Sequence, residues 1–301
     1  MYVPAGLKIE TVNTQEKTMD QFSVDAYTPQ QIAARVQQVG VVKSTGDPLQ
    51  VFALAVLAGA FIAFGAAFFT VVTYDTGHLA GGLLRLLGGL VFCLGLILVV
   101  VAGAELFTGN NLIVMAFVDG QVTLVQLLKN WMIVYLGNFI GAMGILLMIY
   151  FSGHWQIADG AVGSKAIAIA NSKVNLSWLE AFFRGILCNV LVCLALWLCF
   201  AGRTVVDKVL AILFPISAFV AMGFEHSVAN MYFIPAGLLA SQDPALLQSL
   251  LPISLDNLTV SGFVWNNLLP VTLGNMLGGG FFVGLVYWFI YLRKNKESSH
   301  V

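Results

Sequence analysis

The sequence predicts an all-α membrane protein. Six transmembrane helices form an inverted three-plus-three repeat, with the second and fifth helices broken near the bilayer midplane. Three observations carry that expectation. Of the 301 residues, 59% are hydrophobic and only 10% are charged, against roughly 25% charged in a soluble domain. The apolar residues gather into uncharged runs of about the 20 residues that a helix needs to cross a bilayer. Two motifs recur, in the same order, in both halves of the chain.

The first 48 residues are polar and carry Lys8, Glu10, Glu16, Lys17, Asp20, Asp25, Arg35, Lys43 and Asp47. They lack the early apolar run of a signal peptide, so the first transmembrane helix is expected to be its own insertion signal. Thr28-Pro29 reads as a helix start, a cap residue with proline at the first helical position. Ile32, Val36 and Val39 follow at i, i+4 and i+7, which predicts a short amphipathic helix along one membrane face. Three regions result: a polar segment over 1–47, a six-helix membrane domain over 48–292, and a tail over 293–301.

Pro48–Tyr74 holds the first span. Leu86–Ala104 is uncharged, Glu105 follows, and Leu106–Val118 is uncharged again. Asn130–Gly153 and Gly185–Gly202 are the third and fourth spans. The fifth runs through Val209–Phe224, is interrupted by Glu225 and His226, and resumes over Ser227–Gln242. Asn257–Leu292, with Pro270 inside it, is the sixth. The segment from Ser152 to Lys173 is generic loop. Cys93, Cys188, Cys193 and Cys199 match no metal spacing or disulfide framework and read as small hydrophobes.

The two interruptions read GAELFTGN from Gly103 and GFEHSVAN from Gly223, both G-x-E-x-x-x-x-N. The spans that follow begin NWMIVYLGNFIG at Asn130 and NLLPVTLGNMLG at Asn267, both N-x6-G-N-x-x-G. Interrupted spans in corresponding positions of two halves mark the binding region of repeat-built transporters. Three spans per repeat is odd, so the second half inserts upside down and both termini share one side. Of the 14 Lys and Arg, 10 fall in the N-terminal segment, the loops after spans two and four, and the tail. The positive-inside rule then makes the termini cytoplasmic. Arg85, Lys165, Lys173 and Arg184 are the other four.

Unwound backbone survives in a membrane only where protein or a water-filled cavity covers it. Each half-helix after a break starts with unpaired N–H groups and partial positive charge. Two such ends aimed at one cavity attract an anion without a formal charge. Thr108 and Ser227 can add hydroxyl donors or cap those ends. Glu105 and Glu225, at equivalent breaks, are expected to accept hydrogen bonds from the breaks' backbone N–H groups. His226 has no counterpart, since Leu106 stands there. It is the pore candidate, beside an acid that can set its tautomer or charge. Phe92, Leu96, Leu106, Phe107, Val192 and Phe219 are the apolar residues near the breaks, able to narrow a path.

The stretches AGAELFTGNNLIV, LLKNWMIVYLGNFIGA, GFEHSVANMYFIPAGL and NLLPVTLGNMLGGG resemble the patterns of the formate/nitrite transporter family, and look closest to its formate channels. The likeness runs from about Ala34 to Arg293. It implies an aquaporin-like fold assembled as a homopentamer, with one pore per subunit, in the bacterial cytoplasmic membrane. By that resemblance His226 lines the pore centre and Thr108 faces it. Glu225 and Asn230 support the histidine, Lys173 and Asn189 lie near the site, and Glu105 and Asn110 support the first break. The family's apolar slits fall on Phe92, Leu96, Leu106, Phe107, Val192 and Phe219. Two places depart from the pattern: the residues before Thr28, and Arg184, where an apolar residue is expected. Arg184 lies four residues after Glu180, a spacing that allows an ion pair.

The reading is a passive, pH-sensitive channel for formate and similar small monovalent anions such as acetate, lactate and nitrite, in which the central histidine can exchange a proton with the substrate. A cytosolic protein docking on the N-terminal segment is a further expected partner; nucleic acid, cofactors and metals are not. The alternatives are a nitrite or hydrosulfide channel of the same family, and a neutral-solute pore, against which the absence of an arginine at either break argues. An enzyme is not expected, because no nucleophile–base pair, metal set or phosphate loop is present.

Overall fold

The computed structural model describes residues 25–75, 77, 80–248, 250 and 253–293. Residues 1–24 and 294–301 lie outside them, and with them the charges counted for orientation at Lys8, Lys17, Lys294 and Lys296. The regular elements among the described residues are helices. α1 covers Pro29–Thr45, α2 Pro48–Val72, α3 Gly81–Gly103, α4 Phe107–Val118 and α5 Leu124–Phe151. α6 covers Ala161–Val174, α7 Trp178–Ala201, α8 Val205–Ala221, α9 Ser227–Ala240 and α10 Gly262–Tyr291. Five of them (α2, α3, α5, α7 and α10) are long and apolar enough to cross a membrane. The fifth predicted crossing is divided between α8 and α9, as the second is between α3 and α4.

Helix starts follow caps, not charges. α5 begins six residues before the expected Asn130, because Thr123 and Gln126 exchange capping-box hydrogen bonds and Lys129 rides on the exposed side. α7 begins seven residues before Gly185, through the same box at Ser177 and Glu180. Thr28 and Gln31 form a third box at α1. The segment read as loop from Ser152 to Lys173 carries a 14-residue helix, α6, whose buried Val162, Ile167 and Ala170 face the core.

α1 through α5 and α6 through α10 correspond one to one. α2 packs on α5 as α7 packs on α10, and α1 packs on α4 as α6 packs on α9. The second motif explains the closeness of the α2–α5 and α7–α10 pairs. A Cβ on Gly141 would strike Val56 O, and one on Gly278 would strike Ile186 O, so only glycine lets these backbones meet. The two halves run in opposite senses. One large cavity touches Phe69 of α2 and Thr73 just after it, Gly81 to Phe92 of α3, Arg184 of α7 and Phe219 of α8. A second touches Leu54 of α2, Leu96 to Gly103 of α3, Leu196 to Phe200 of α7 and Lys208 of α8. Thus α2 and α8 run from the second cavity to the first, whereas α3 and α7 run from the first to the second. Equivalent helices are antiparallel, and the repeat is inverted.

Candidate functional site

Each break opens on a glycine in the left-handed region, Gly103 at φ +80° and Gly223 at φ +73°. This is why both motifs begin with glycine. The chain leaves the helix through a widened turn, with Ala104 N–H on Val99 O and Phe224 N–H on Phe219 O. Glu105 N–H then bonds Leu54 O, and Glu225 N–H bonds Arg184 O. The exposed backbone is matched by the asparagine of each G-N-x-x-G motif. Asn138 Nδ2 donates to Ala55 O at 2.7 Å and Glu105 O at 2.9 Å, and its Oδ1 accepts Phe107 N–H at 2.9 Å. Asn275 Nδ2 donates to Gly185 O at 2.8 Å and Glu225 O at 3.0 Å, and its Oδ1 accepts Ser227 N–H at 2.9 Å.

The glutamate carboxylates therefore do not bind the breaks' N–H groups, as the sequence led us to expect. Those donors are taken by carboxamides, and the carboxylates face cations. Glu105 accepts Lys43 Nζ at 3.1 Å and Asn110 Nδ2 at 2.6 Å. Glu225 accepts Lys173 Nζ at 2.8 Å, Asn230 Nδ2 at 2.7 Å and Asn267 Nδ2 at 3.1 Å. Asn110 Nδ2 also donates to Asn130 Oδ1 at 2.9 Å, and Asn230 Nδ2 to Asn267 Oδ1 at 2.6 Å. Asn130 and Asn267 in turn donate to the carbonyl oxygens of Lys43 and Lys173. Both glutamates are buried, and a buried charge needs such a partner.

Lys43, Asn130, Asn138, Asn267 and Asn275 were not foreseen at the site. The asparagines had been legible only as repeat markers. A signal for Lys43 was present: Lys43 and Lys173 each stand four residues before a helix cap, Asp47 and Ser177.

Between the breaks, Thr108 Oγ1 lies 2.9 Å from His226 Nε2, both side chains buried. His226 Nδ1 accepts Ala229 N–H at 3.0 Å, capping α9. Nδ1 is therefore the bare nitrogen, Nε2 carries the hydrogen, and Nε2–H donates to Thr108. The tautomer is set by α9's own backbone and not by Glu225, whose carboxylate is already engaged. Ser227 does not cap α9, as His226 takes that role; its hydroxyl is buried and unpartnered. Asn189 Nδ2 braces the pair from behind, within 3.1 Å of Thr108 O, Asn111 Oδ1 and Asn275 O.

The first of the two cavities reaches His226 itself, and the second ends at Leu106 and Gly109, on either side of Thr108 in the chain. The first, about 740 Å³, reaches His226, Lys173, Glu225 and Asn230 past Phe92 and Phe219. Those two rings meet edge to face at 5.8 Å, and Phe219 stacks on His226 at 6.1 Å. The second, about 420 Å³, reaches Leu96, Leu106, Glu105 and Asn110. Phe107 and Val192 line neither cavity. Phe107 packs edge-on against Trp131 and Tyr135, and Val192 is buried in the core. Arg184 lies 3.8 Å from Glu180 and lines the first cavity.

The family model described as formate/nitrite transporter matches residues 30–289. The chain is 44% identical over 277 residues to the formate channel FocA of Escherichia coli K12, covering 91% of this chain and 97% of that one. It is 40% identical over 264 residues to the formate channel FocA of Haemophilus influenzae, covering 86% and 93%. Among solved structures, a pentameric formate channel with formate bound superposes at a TM-score of 0.76 with 40% identity, covering 82% of this chain and 98% of that one. An FNT family ion channel superposes at 0.72 with 30% identity, covering 87% and 98%. The chain belongs to the formate/nitrite transporter family.

Proposed function

We propose that this protein is a passive, pH-sensitive channel for formate and similar small monovalent anions. The observation that carries the reading is the Thr108–His226 pair, 2.9 Å apart, set between two cavities that open at opposite ends and narrow on apolar side chains. A formate entering either cavity meets a lysine beside each break, Lys173 or Lys43, and then the hydroxyl of Thr108 and the Nε2–H of His226. The half-helix ends α4 and α9 add partial positive charge at that point. The apolar constrictions, Phe92 with Phe219 on one side and Leu96 with Leu106 on the other, oppose a bare charge and pass its neutral acid more readily.

Proton exchange has a defined structural cost. A neutral His226 that gave up its Nε2 hydrogen would become an imidazolate, so the histidine must first be charged at Nδ1. A proton there displaces the Ala229 N–H and uncaps α9. Acidification thus couples the charge of His226 to the packing of the second break, which supports pH-dependent transport. The relatives named as formate channels support formate as the anion and a homopentamer as the assembly. The clustering of Lys and Arg supports cytoplasmic termini in a bacterial cytoplasmic membrane.

The test uses purified protein in sealed liposomes under a formate gradient, with current and internal pH recorded together. Formate-borne current without matching acidification supports the channel; acidification without current means that formic acid or a coupled proton moves. Silence with formate and flux with nitrite or hydrosulfide would overturn the substrate.

A further inference from the structure

The larger cavity holds more cationic charge than the pore centre uses. Arg85, Lys165, Lys173 and Arg184 all line it, with Glu225 as the one carboxylate on its wall among the described residues, and Glu225 is occupied by Lys173 at 2.8 Å. Arg184 has a distant partner in Glu180, at 3.8 Å. Arg85 and Lys165 have no carboxylate partner among the described residues. These four are also the only Lys and Arg outside the segments that orient the chain. They are thus gathered on one cavity, against the general bias. Its volume, about 740 Å³, far exceeds a one-carbon anion, and its floor narrows to the Phe92–Phe219 pair.

We propose that this cavity binds small dicarboxylate dianions, which Arg85 and Lys165 hold by one carboxylate each, and that a bound dianion blocks entry of the monoanion. The planar guanidinium of Arg85 suits a carboxylate in two-pronged geometry, and Lys165 supplies a point charge. Burial pushes the Lys165 ammonium below its usual pKa, so an anion beside it relieves a desolvation cost. A second charge makes passage over the apolar constriction far more costly than for a monoanion. The dianion is therefore a blocker, not a substrate.

The test measures formate influx into liposomes holding the full-length protein, with malonate added, and propanoate as a singly charged control of similar size. Malonate should inhibit and propanoate should inhibit far less. In Arg85→Gln/Lys165→Gln the malonate needed for half-inhibition, read against that variant's own uninhibited flux, should rise about tenfold or more, the size expected for losing charge-assisted contacts. A second readout needs no transport: malonate should raise the thermal unfolding temperature of the detergent-solubilised protein and not that of the double variant. If the double variant does not fold, Lys165→Gln alone serves for both measurements. Malonate stabilisation without formate flux would support the site and overturn the transport reading. Malonate that neither inhibits nor stabilises, or that acts equally on the variant, overturns the proposal.

Discussion

The two breaks are built alike on three shared residues and differ at the other five positions of the motif, Ala104 against Phe224 before the glutamate and four after it. Each has a left-handed glycine, a buried glutamate paired to a lysine, an asparagine five residues on, and a carboxamide from the following helix holding the unwound backbone. After the glutamate they diverge: Leu106, Phe107, Thr108 and Gly109 in the first half stand where His226, Ser227, Val228 and Ala229 stand in the second. The shared residues match backbone and charge, which any helix break in a membrane requires. Among the unshared ones, Thr108 from the first break and His226 from the second meet, and the Ser227 hydroxyl is buried without a partner. In this molecule the repeat marks scaffold and the departure from it marks chemistry.

The largest expected effect comes from removing one member of a buried ion pair, which strands the other charge at a cost of about 3–5 kcal/mol. Lys173→Met should lower the yield of folded protein and its unfolding temperature sharply in fluorescence-detected size exclusion. Lys173→Met/Glu225→Gln should recover much of that loss. Lys43→Met should cost less, because the Lys43–Glu105 side chains are 26% and 11% exposed and the Lys173–Glu225 side chains 14% and 5%. Equal losses would show that the two breaks share their energetics as well as their geometry.

Next in size are the carboxamides. Asn138→Ala and Asn275→Ala each leave the buried N–H of Phe107 or Ser227 unmatched, at about 1–3 kcal/mol, while Ala55 O and Gly185 O lie within helices. Asn275 holds Glu225 O and Ser227 N–H, the groups on either side of His226, whereas Asn138 holds Glu105 O and Phe107 N–H, on either side of Leu106. Formate flux should therefore fall more in Asn275→Ala than in Asn138→Ala at equal folded protein.

The comparison is sharpest at His226. His226→Phe removes the donor facing Thr108 and the cap of α9 together, whereas His226→Asn keeps a capping side chain. Both should abolish the variation of flux over about pH 5–8, the range in which histidine acts as a switch. Asn should retain the greater stability, by about 1 kcal/mol for an N-cap. Flux from either variant that still varies with pH as in the native protein would remove His226 from the pH response.

Most of the architecture could be read from sequence because membranes impose it. Spans, breaks and the repeat follow from uncharged lengths and from two motifs, and the Glu180–Arg184 pair follows from helical spacing. What escaped was contact across long sequence separation. Lys43 meets Glu105 from 62 residues away, and no periodicity encodes that. Asn138 and Asn275 were visible as letters in a motif, but a motif names equivalent positions and not their partners. The glutamates were given to the backbone for the same reason: the backbone donors were local, and their true acceptors came from the next helix. Helix starts slipped where a charge was taken as a boundary, because a cationic side chain on the exposed side, as at Lys129, does not stop a capped helix.

The smallest effect separates α1 from α6, the helices that deliver the two lysines. α1 starts with the Thr28–Gln31 box, whereas α6 starts at Gly160 with no side-chain cap. Thr28→Ala should cost about 1 kcal/mol locally. α1 is also held by Tyr27, whose ring is covered by Arg35 and Arg203, each guanidinium 3.9 Å from its centre. Its N-terminal turns should therefore fray without detaching the helix. Lys43 lies at the far end, 15 residues on, where the Glu105 and Asn130 contacts hold it independently. Hydrogen exchange should accelerate over the first turn of α1 and stay unchanged at Lys43 and the first break, with formate flux preserved. Faster exchange at Glu105 in this variant would mean that α1 responds as one rigid unit, and that the first break depends on the chain's N-terminal segment in a way the second break does not.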